Sequence, residues 1–230
     1  MFADLLDIVI PHTCVACKTP ISSYNSGICT SCCTKLQVLC RGQDLELRKR
    51  LTTKAHLFDG GLALLYFEQN GVSQRLIHHI KYHHGKDLAI TWGKFLGNVL
   101  VAAQMEMEID FNNCVLIPIP MHRKKRRKRG YNPPLYIARG IQEVLGLRSS
   151  IEPDILVRTK HLKSQTSADF HLRFERLVNS FQLQNEIPIQ GSIILIDDVI
   201  TSTSTLQHCA QVLRKSYTLK IYAVALAFSA

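Results

Sequence analysis

The chain has 230 residues, 46% of them hydrophobic, so it can bury one ordinary core beside a small accessory module. No stretch approaches the apolar length of a membrane helix, and residues 1–10 carry two acids where a secretory signal carries positive charge, so we expect a cytoplasmic globular protein. The net charge of +10 is local: seven of 28 basic residues lie at 123–129, and the remaining 21 face 18 acids. This excludes a protein coated in positive charge and predicts an anionic partner at one place.

Near the N-terminus, four cysteines have the spacing of a zinc site. They form two C-x2-C pairs separated by eleven residues: Cys14 with Cys17, and Cys29 with Cys32. Such knuckles close a tetrahedral thiolate site, which has no open position for water and is therefore structural. The alternatives are reduced cysteines or disulfides, and Cys33 or Cys40 could replace a ligand. Residues 41–54 are polar and predict a connector, so we expect a zinc-knuckle module at 1–54 and a main domain at 55–230.

The main domain shows alternating strand and helix patterns. Strands are predicted at 61–67, 115–120, 155–158, 193–198 and 220–228, and helices at 74–84, 87–104, 132–145 and 205–215. This alternation predicts a parallel α/β sheet with helices on both faces, which binds ligands beyond the carboxyl ends of its strands. Residues 118–122, Thr159 and Asp197 are expected there, whereas Cys114 and Cys209 lie in apolar surroundings and are expected in the core.

A histidine cluster marks the first predicted helix, with members at His78, His79, His83 and His84. Pairs four and five residues apart on a helix suit a metal, although no partner carboxylate is evident nearby. The alternative is a solvated, partly cationic helix face.

Residues 193–206 hold the clearest chemical pattern. Four aliphatic residues run into Asp197 and Asp198, and then into the hydroxyl side chains of Thr201, Ser202, Thr203, Ser204 and Thr205, before the next helix. Successive strand residues point to opposite faces, so only one carboxylate can face a given ligand. Hydroxyls at the start of a helix suit a phosphate. The pattern predicts a sugar-phosphate site, and the absence of G-x-x-x-x-G-K-[ST] from the sequence excludes a P-loop NTPase.

Further motifs follow the cysteine knuckles along the chain: Ile80-Lys81-Tyr82, Pro118-Ile119-Pro120, the sequence KRGYN at 128–132, and residues 173–179, where Arg176 and Asn179 match the last two fixed positions of the pattern R-x-x-x-R-x-x-N. In this order, the motifs resemble the ComF/GntX family over nearly the whole chain, and residues 194–206 resemble the PRPP-binding signature of type I phosphoribosyltransferases. The resemblance implies a type I phosphoribosyltransferase-like sheet, an N-terminal zinc module and an association with natural competence, the uptake of DNA. It leaves open whether phosphoribose is transferred.

The resemblance also implies roles for individual residues. Asp197 and Asp198 would hold the ribose hydroxyls directly or through Mg²⁺, and residues 201–205 would hold the 5′-phosphate of PRPP. The turn after strand 115–119 matches the pyrophosphate loop, which would comprise Pro120, Met121, His122 and Arg123. Lys81 would add an anion contact, and 159–170 would be the mobile hood loop. If catalysis occurs, Asp197, Asp198 and Arg123 would carry it with Mg²⁺.

At Thr203 the sequence departs from the family pattern T-T-G-x-T. A glycine there permits a positive φ that a β-branched residue tolerates poorly, so Thr203 is expected to distort the loop and either weaken PRPP binding or favour a different phosphate compound. The alternative is that Thr203 keeps ordinary backbone angles and its hydroxyl adds a phosphate donor.

The basic run is the last candidate site. A solvated loop is the usual explanation of such a run, but seven adjacent cations repel one another unless an anion lies nearby. That anion could be PRPP or single-stranded DNA, with Tyr131 as the neighbouring aromatic residue for base stacking. The predicted nucleic-acid contacts are Arg123, Lys124, Lys125, Arg126, Arg127, Lys128, Arg129 and Tyr131.

Overall fold

A computed structural model describes residues 12–21, 26–39, 45–52, 57–83, 85–146, 149–159, 180–187 and 191–229. Its helices are α1 (Thr30–Cys33), α2 (Leu45–Thr52), α3 (Val72–Tyr82), α4 (Lys86–Ala102), α5 (Gln104–Met107), α6 (Arg123–Arg129), α7 (Pro133–Leu145) and α8 (Ser204–Arg214). Its strands are β1 (Gly60–Tyr66), β2 (Cys114–Pro118), β3 (Ser149–Ile151), β4 (Leu156–Arg158), β5 (Phe181–Leu183), β6 (Ile193–Ile200) and β7 (Ile221–Phe228).

A five-stranded parallel sheet forms the centre of the fold, in the order β1-β7-β6-β2-β3. Strands β6 and β7 are buried on both faces and read as near-continuous apolar runs, as such strands do in parallel sheets. The predicted α/β class with a parallel sheet and flanking helices is confirmed. Cys114 and Cys209 are fully buried in the core, as predicted.

Each face of the sheet has its own apolar cluster. One cluster joins α3, α4 and α7 to the sheet and includes residues of the cysteine-rich segment such as Val15 and Ile28. The other cluster joins the sheet to α2, to α8 and to the hairpin formed by β4 and β5. The N-terminal segment also connects by hydrogen bonds: Trp92 Nε1 donates to the carbonyl of Ser26 at 2.9 Å, and the amide of Leu39 donates to Leu64 at 2.9 Å.

Helices α4 and α7 pack closely because glycines face each other. A Cβ atom built on Gly140 would collide with the carbonyl oxygen of Ile90, and one built on Gly93 would collide with that of Ile137. Helix α7 begins with two prolines and ends at Gly146, whose φ of 73° lies in the left-handed region.

Two predicted strand assignments need correction. Residues 155–158 do not join the parallel sheet, because β4 pairs antiparallel with β5 in a separate hairpin. Thr159 therefore does not lie at the carboxyl end of a parallel strand, and the edge strand of the main sheet is β3 instead. Strand β6 continues past the acid pair to Ile200, so Asp197 and Asp198 lie within the strand.

Candidate functional site

The acid pair divides between the two faces of the sheet, as strand geometry requires. Before the acids, Ile194 and Ile196 belong to the α3–α4–α7 cluster, whereas Ile193 and Leu195 belong to the α8 cluster. Asp198 continues the first set and meets Lys81 of α3, and Asp197 continues the second and lies near Cys209 of α8. Strand β2 pairs with β6 only as far as Ile196, so the edge beside the acids is open on the β2 side.

Asp198 is paired with a cation supplied by α3. Lys81 lies in the last turn of α3, and its Nζ atom is 2.8 Å from Asp198 Oδ1. Asp198 is buried at 8% exposure, so the ion pair is shielded from water. Lys81 thus lies at the predicted ribose carboxylate, and a ribose or a metal at Asp198 would have to displace it or bind beside it.

Asp197 has a different environment. Its Oδ1 accepts a hydrogen bond from the amide of Asp198 at 2.8 Å. Desolvation, followed by the charge of Asp198, raises the pKa of Asp197 to about 7, although Lys81 and Arg158 oppose the shift. The two acids therefore differ: Asp198 is in an ion pair, whereas Asp197 readily holds a proton near neutral pH.

Thr201, Ser202 and Thr203 form the turn between β6 and α8, whereas Ser204, which is buried, and Thr205 begin α8. Thr203 precedes α8 with φ −67° and ψ −1°, which are ordinary right-handed values. Distortion of the backbone by Thr203 is thus not observed, and the alternative of ordinary angles describes the structure. Arg50 of α2, which sequence reasoning missed, holds this turn by donating from Nη1 to the carbonyl oxygens of Thr201 at 3.4 Å and Ser229 at 3.1 Å.

The predicted pyrophosphate loop lies beside a cavity of about 360 Å³. Pro120, Met121 and Arg123 line it, together with Arg158 from the β4–β5 hairpin and Asn132. Asn132 Nδ2 donates to the carbonyl of Ile119 at 3.0 Å, whereas Asn132 Oδ1 and Arg158 Nε are buried without a partner. These two atoms are not accessible from the cavity surface, so the groups that the cavity offers to an anion are the arginine side chains that line it, and none of residues 201–205 does.

The basic run is a helix rather than a loop. In α6, residues 123–128 are exposed and Arg129 is half-buried. His122 accepts a hydrogen bond from the amide of Lys124 at 3.2 Å, and Gly130 ends the helix with a φ of 84°. Desolvation lowers the pKa of Lys125, with further lowering from Arg129 and Lys81, so the helix lies close to the acid pair and the end of α3.

The aromatic residue available beside α6 is Tyr82 and not Tyr131. Tyr131 is 4% exposed and its hydroxyl donates to the carbonyl of Ile80, so its ring is closed to a base from solvent. Tyr82 at the end of α3 is 54% exposed. Arg129 Nη2 donates to the Tyr82 hydroxyl at 3.0 Å, and its guanidinium carbon lies 4.7 Å from the ring centroid. The predicted role of Tyr131 in stacking is therefore corrected.

The four predicted zinc ligands converge. The Sγ atoms of Cys14, Cys17, Cys29 and Cys32 all lie within 4.8 Å of one another, and Cys17 and Cys29 are 3.6 Å apart. A tetrahedron with Zn–S bonds of about 2.3 Å has S–S edges of about 3.8 Å, so the cluster fits structural zinc. A hydrogen bond with Thr19 lowers the pKa of Cys17 to about 6, which favours the thiolate that zinc binds. Cys33 is exposed outside this cluster, and Cys40 lies outside the described residues.

Two further predictions concern the arginine motif with the hood segment, and the histidine cluster of α3. The arginine motif at 173–179 with Arg176 and Asn179 lies outside the described residues, and the hood segment is described only at Thr159. Among His78, His79 and His83, the rings are neighbours, but in the described part of the chain only the cysteine sulfurs converge closely enough to hold a metal.

None of the described helices is both long and apolar enough to span a membrane.

Known proteins resemble the chain along most of its length. It is 22% identical to the DNA utilization protein YhgH of Escherichia coli K12 and 21% identical to that of Salmonella typhimurium; each match covers 91% of this chain and 93% of the relative. It is 32% identical to Competence protein F of Haemophilus influenzae over 103 residues, which are 44% of each chain. No family model matches. These relatives confirm the resemblance to the competence protein F family that the motifs indicate.

Proposed function

We propose, from this relationship to competence protein F, that the chain binds single-stranded DNA and serves in DNA uptake or utilization. The observation that carries the proposal is the position of helix α6, where seven consecutive cations lie beside the exposed ring of Tyr82. The names of the relatives, DNA utilization protein and Competence protein F, support the same role.

Electrostatics favours a polyanion at α6. Seven like charges on a seven-residue helix repel one another, and cations at a helix carboxyl end gain only a modest offset from the macrodipole. Asp198, whose charge acts on Lys125 of this helix, already pairs with Lys81. A phosphodiester backbone would neutralise several of these cations at once and release its own counterions.

Tyr82 favours a single strand. Unpaired bases stack on aromatic side chains beside a positively charged groove, and such stacking tolerates any sequence. The ring of Tyr82 is exposed next to Arg129, so a strand whose phosphates follow α6 can place a base on or beside that ring. Binding is therefore expected to depend strongly on salt and weakly on sequence.

The test is titration of a labelled oligothymidylate at several salt concentrations. Replacing Lys124, Arg127 and Lys128 by Gln is expected to weaken binding at least about tenfold at low salt and to reduce the salt slope by about 2, at about 0.7 per lost phosphate contact. The matched control replaces three exposed lysines elsewhere, Lys94, Lys215 and Lys220. Equal losses in the two triple variants would reduce the proposal to an effect of net charge.

A phosphoribosyl compound is the second ligand that we propose, at the acid pair. Asp197 and Asp198 would meet the ribose hydroxyls, the hydroxyls of 201–205 would meet the 5′-phosphate, and Lys81 with Pro120, Met121, His122 and Arg123 would meet the pyrophosphate. The ordinary backbone of Thr203 leads directly into α8, whose first amides suit a phosphate. The cavity beside the predicted pyrophosphate loop is lined by Arg123, Arg126 and Arg158, whose charges suit a pyrophosphate.

Magnesium would join this second ligand. The two carboxylates lie on opposite faces, so one ion would meet only one of them, and at Asp198 it would have to displace Lys81 or bind beside it. Such a site would hold Mg²⁺ mainly through substrate oxygens. Bound Mg²⁺ would supply charge neutralisation for the pyrophosphate. Calorimetric titration with Mg·PRPP tests the proposal: wild type is expected to bind and Asp198→Asn to bind more weakly, and equal affinity would contradict it.

Phosphoribosyl transfer is the alternative function. The observation that favours it is the difference between the two acids, since carboxyl groups with separate protonation behaviour occur in catalytic pairs. Release of pyrophosphate from Mg·PRPP with a nucleobase-like acceptor would establish an enzyme. If Mg·PRPP binds but no base in a set of acceptors leads to pyrophosphate release, we would assign the phosphoribosyl site a regulatory role.

A further inference from the structure

A second cavity lies between the cysteine knuckle and α3 and is rich in cationic and imidazole side chains. It has a volume of about 340 Å³ and is lined by Lys18 from the knuckle and by Arg75, His78, His79 and His83. Among the described residues, no carboxylate lines it. The cavity therefore joins two elements that sequence reasoning treated separately and concentrates positive or protonatable groups there.

The knuckle fixes the position of Lys18. Its backbone has a φ of 66°, and its amide donates to the carbonyl of Cys14 at 2.9 Å, so the turn between the first two cysteines presents this side chain to α3. On α3, the ring centroids of His79 and His83 are 5.1 Å apart and those of His78 and His83 are 5.7 Å apart. The imidazoles thus form one group across the mouth from Lys18.

The same group touches the proposed DNA surface. The ring centroids of His78 and Tyr82 are 4.7 Å apart, and Arg129 of α6 also contacts Tyr82. Tyr82 therefore lies between α6 and the cavity. A strand that runs along α6 and passes Tyr82 would meet the cavity next.

We propose that this cavity is a phosphate site that extends the single-strand path from α6 across Tyr82 to the cysteine knuckle. Its ligand is a phosphodiester of the same strand, held by Arg75, Lys18 and the imidazole N–H groups. Arginine and lysine carry the charge, and histidine nitrogens supply neutral or charged donors. The inference rests on the proposed binding of single-stranded DNA.

The test compares oligothymidylates of about 4 and about 16 nucleotides, the limits of site size for single-strand-binding folds. The variant Arg75→Gln with His83→Gln changes two exposed side chains and leaves the zinc ligands and Tyr82 in place. It is expected to bind the long oligomer about three- to tenfold more weakly, with a salt slope lower by about 0.7 to 1.4, and to bind the short oligomer like wild type. Lys94→Gln is the matched control and is expected to change neither affinity.

The outcomes separate this inference from the function on which it rests. If the double variant binds the long oligomer with unchanged affinity while neutralisation of α6 still weakens binding, the proposed phosphate site in the cavity is overturned. The proposed DNA-binding surface at α6 would then stand alone. An equal loss for both oligomers would also overturn it, because the cavity would then not be the distal part of the path. Unchanged binding after neutralisation of α6 would reject the proposed function itself.

Discussion

Thr203 shows why a residue that departs from a family pattern has to be judged by its backbone. Its φ of −67° requires no glycine, so Thr203→Gly has no strain to relieve. We expect Thr203→Gly to bind ribose 5-phosphate no more tightly than wild type and to change the free energy of unfolding by less than about 1 kcal/mol. Calorimetry with ribose 5-phosphate and thermal unfolding measure both. A gain in affinity would show that the threonine does obstruct the loop.

The raised pKa of Asp197 predicts how the free energy of unfolding depends on pH. Desolvation by burial, followed by the charge of Asp198, raises the pKa of Asp197 from the ordinary value of 3.8 to about 7 in the folded chain, so between these values an unfolded chain has lost a proton that the folded chain keeps. The contribution of Asp197 to stability therefore falls as pH rises through this window, by up to a few kcal/mol, and stays low above pH 7. Asp197→Asn is expected to remove this decline in denaturant unfolding measured from pH 4 to pH 8.

The control for this experiment is Asp154→Asn, which removes an exposed carboxylate. The interpretation is wrong if Asp197→Asn loses stability with pH as steeply as wild type does, because the decline would then come from other groups.

Sequence adjacency misled the prediction of the aromatic residue. Tyr131 follows the basic run directly, but Gly130 turns the chain inward with a positive φ and the ring becomes buried. Tyr82 lies 47 residues before Arg129 and reaches it only through the fold. The ion pair of Lys81 with Asp198 likewise joins distant parts of the chain, so no local pattern could predict it.

At the scale of elements, strongly periodic segments were predictable and short ones were not. The strands at 61–67 and 220–228 and the helix at 87–104 were each placed within two residues, because their apolar patterns are long. The hairpin of β4 and β5 has strands of three residues, and its pairing depends on a partner more than twenty residues away, so Leu156–Arg158 was assigned to the wrong sheet. Edge strand β3 has two serines and no strand pattern.

The glycine contact between α4 and α7 yields a prediction at this scale. Gly140→Ala is expected to destabilise the protein by about 2 kcal/mol or more, because its Cβ would meet the backbone of α4 at Ile90 and force the helices apart. Chemical denaturation measures the change. Asn98→Ala, at an exposed position of α4, should stay within about 0.5 kcal/mol. A similar small change for Gly140→Ala would mean that the helices separate easily.

At the scale of the whole molecule, the cysteine cluster connects metal binding to folding. Cys14 and Cys32 are buried in the same apolar cluster as α4 and the sheet, so losing the metal should loosen the core and not only the knuckle. We expect one zinc per chain, and Cys17→Ser should lose it and melt about 10 °C lower or more. Cys33→Ser, next to a ligand but outside the cluster, should keep both zinc and stability. Equal zinc content in the two variants would contradict the predicted ligand set.

We propose that α6 and Tyr82 together bind a single strand, and a comparison of single-stranded with duplex DNA of equal length tests this claim. We expect wild type to prefer the single strand, Tyr82→Phe to keep the preference because it keeps the ring, and Tyr82→Ala to lose about 1–3 kcal/mol of single-strand affinity with little change for the duplex. Equal affinity of wild type for the two forms, or equal losses for both forms in Tyr82→Ala, would contradict the claim.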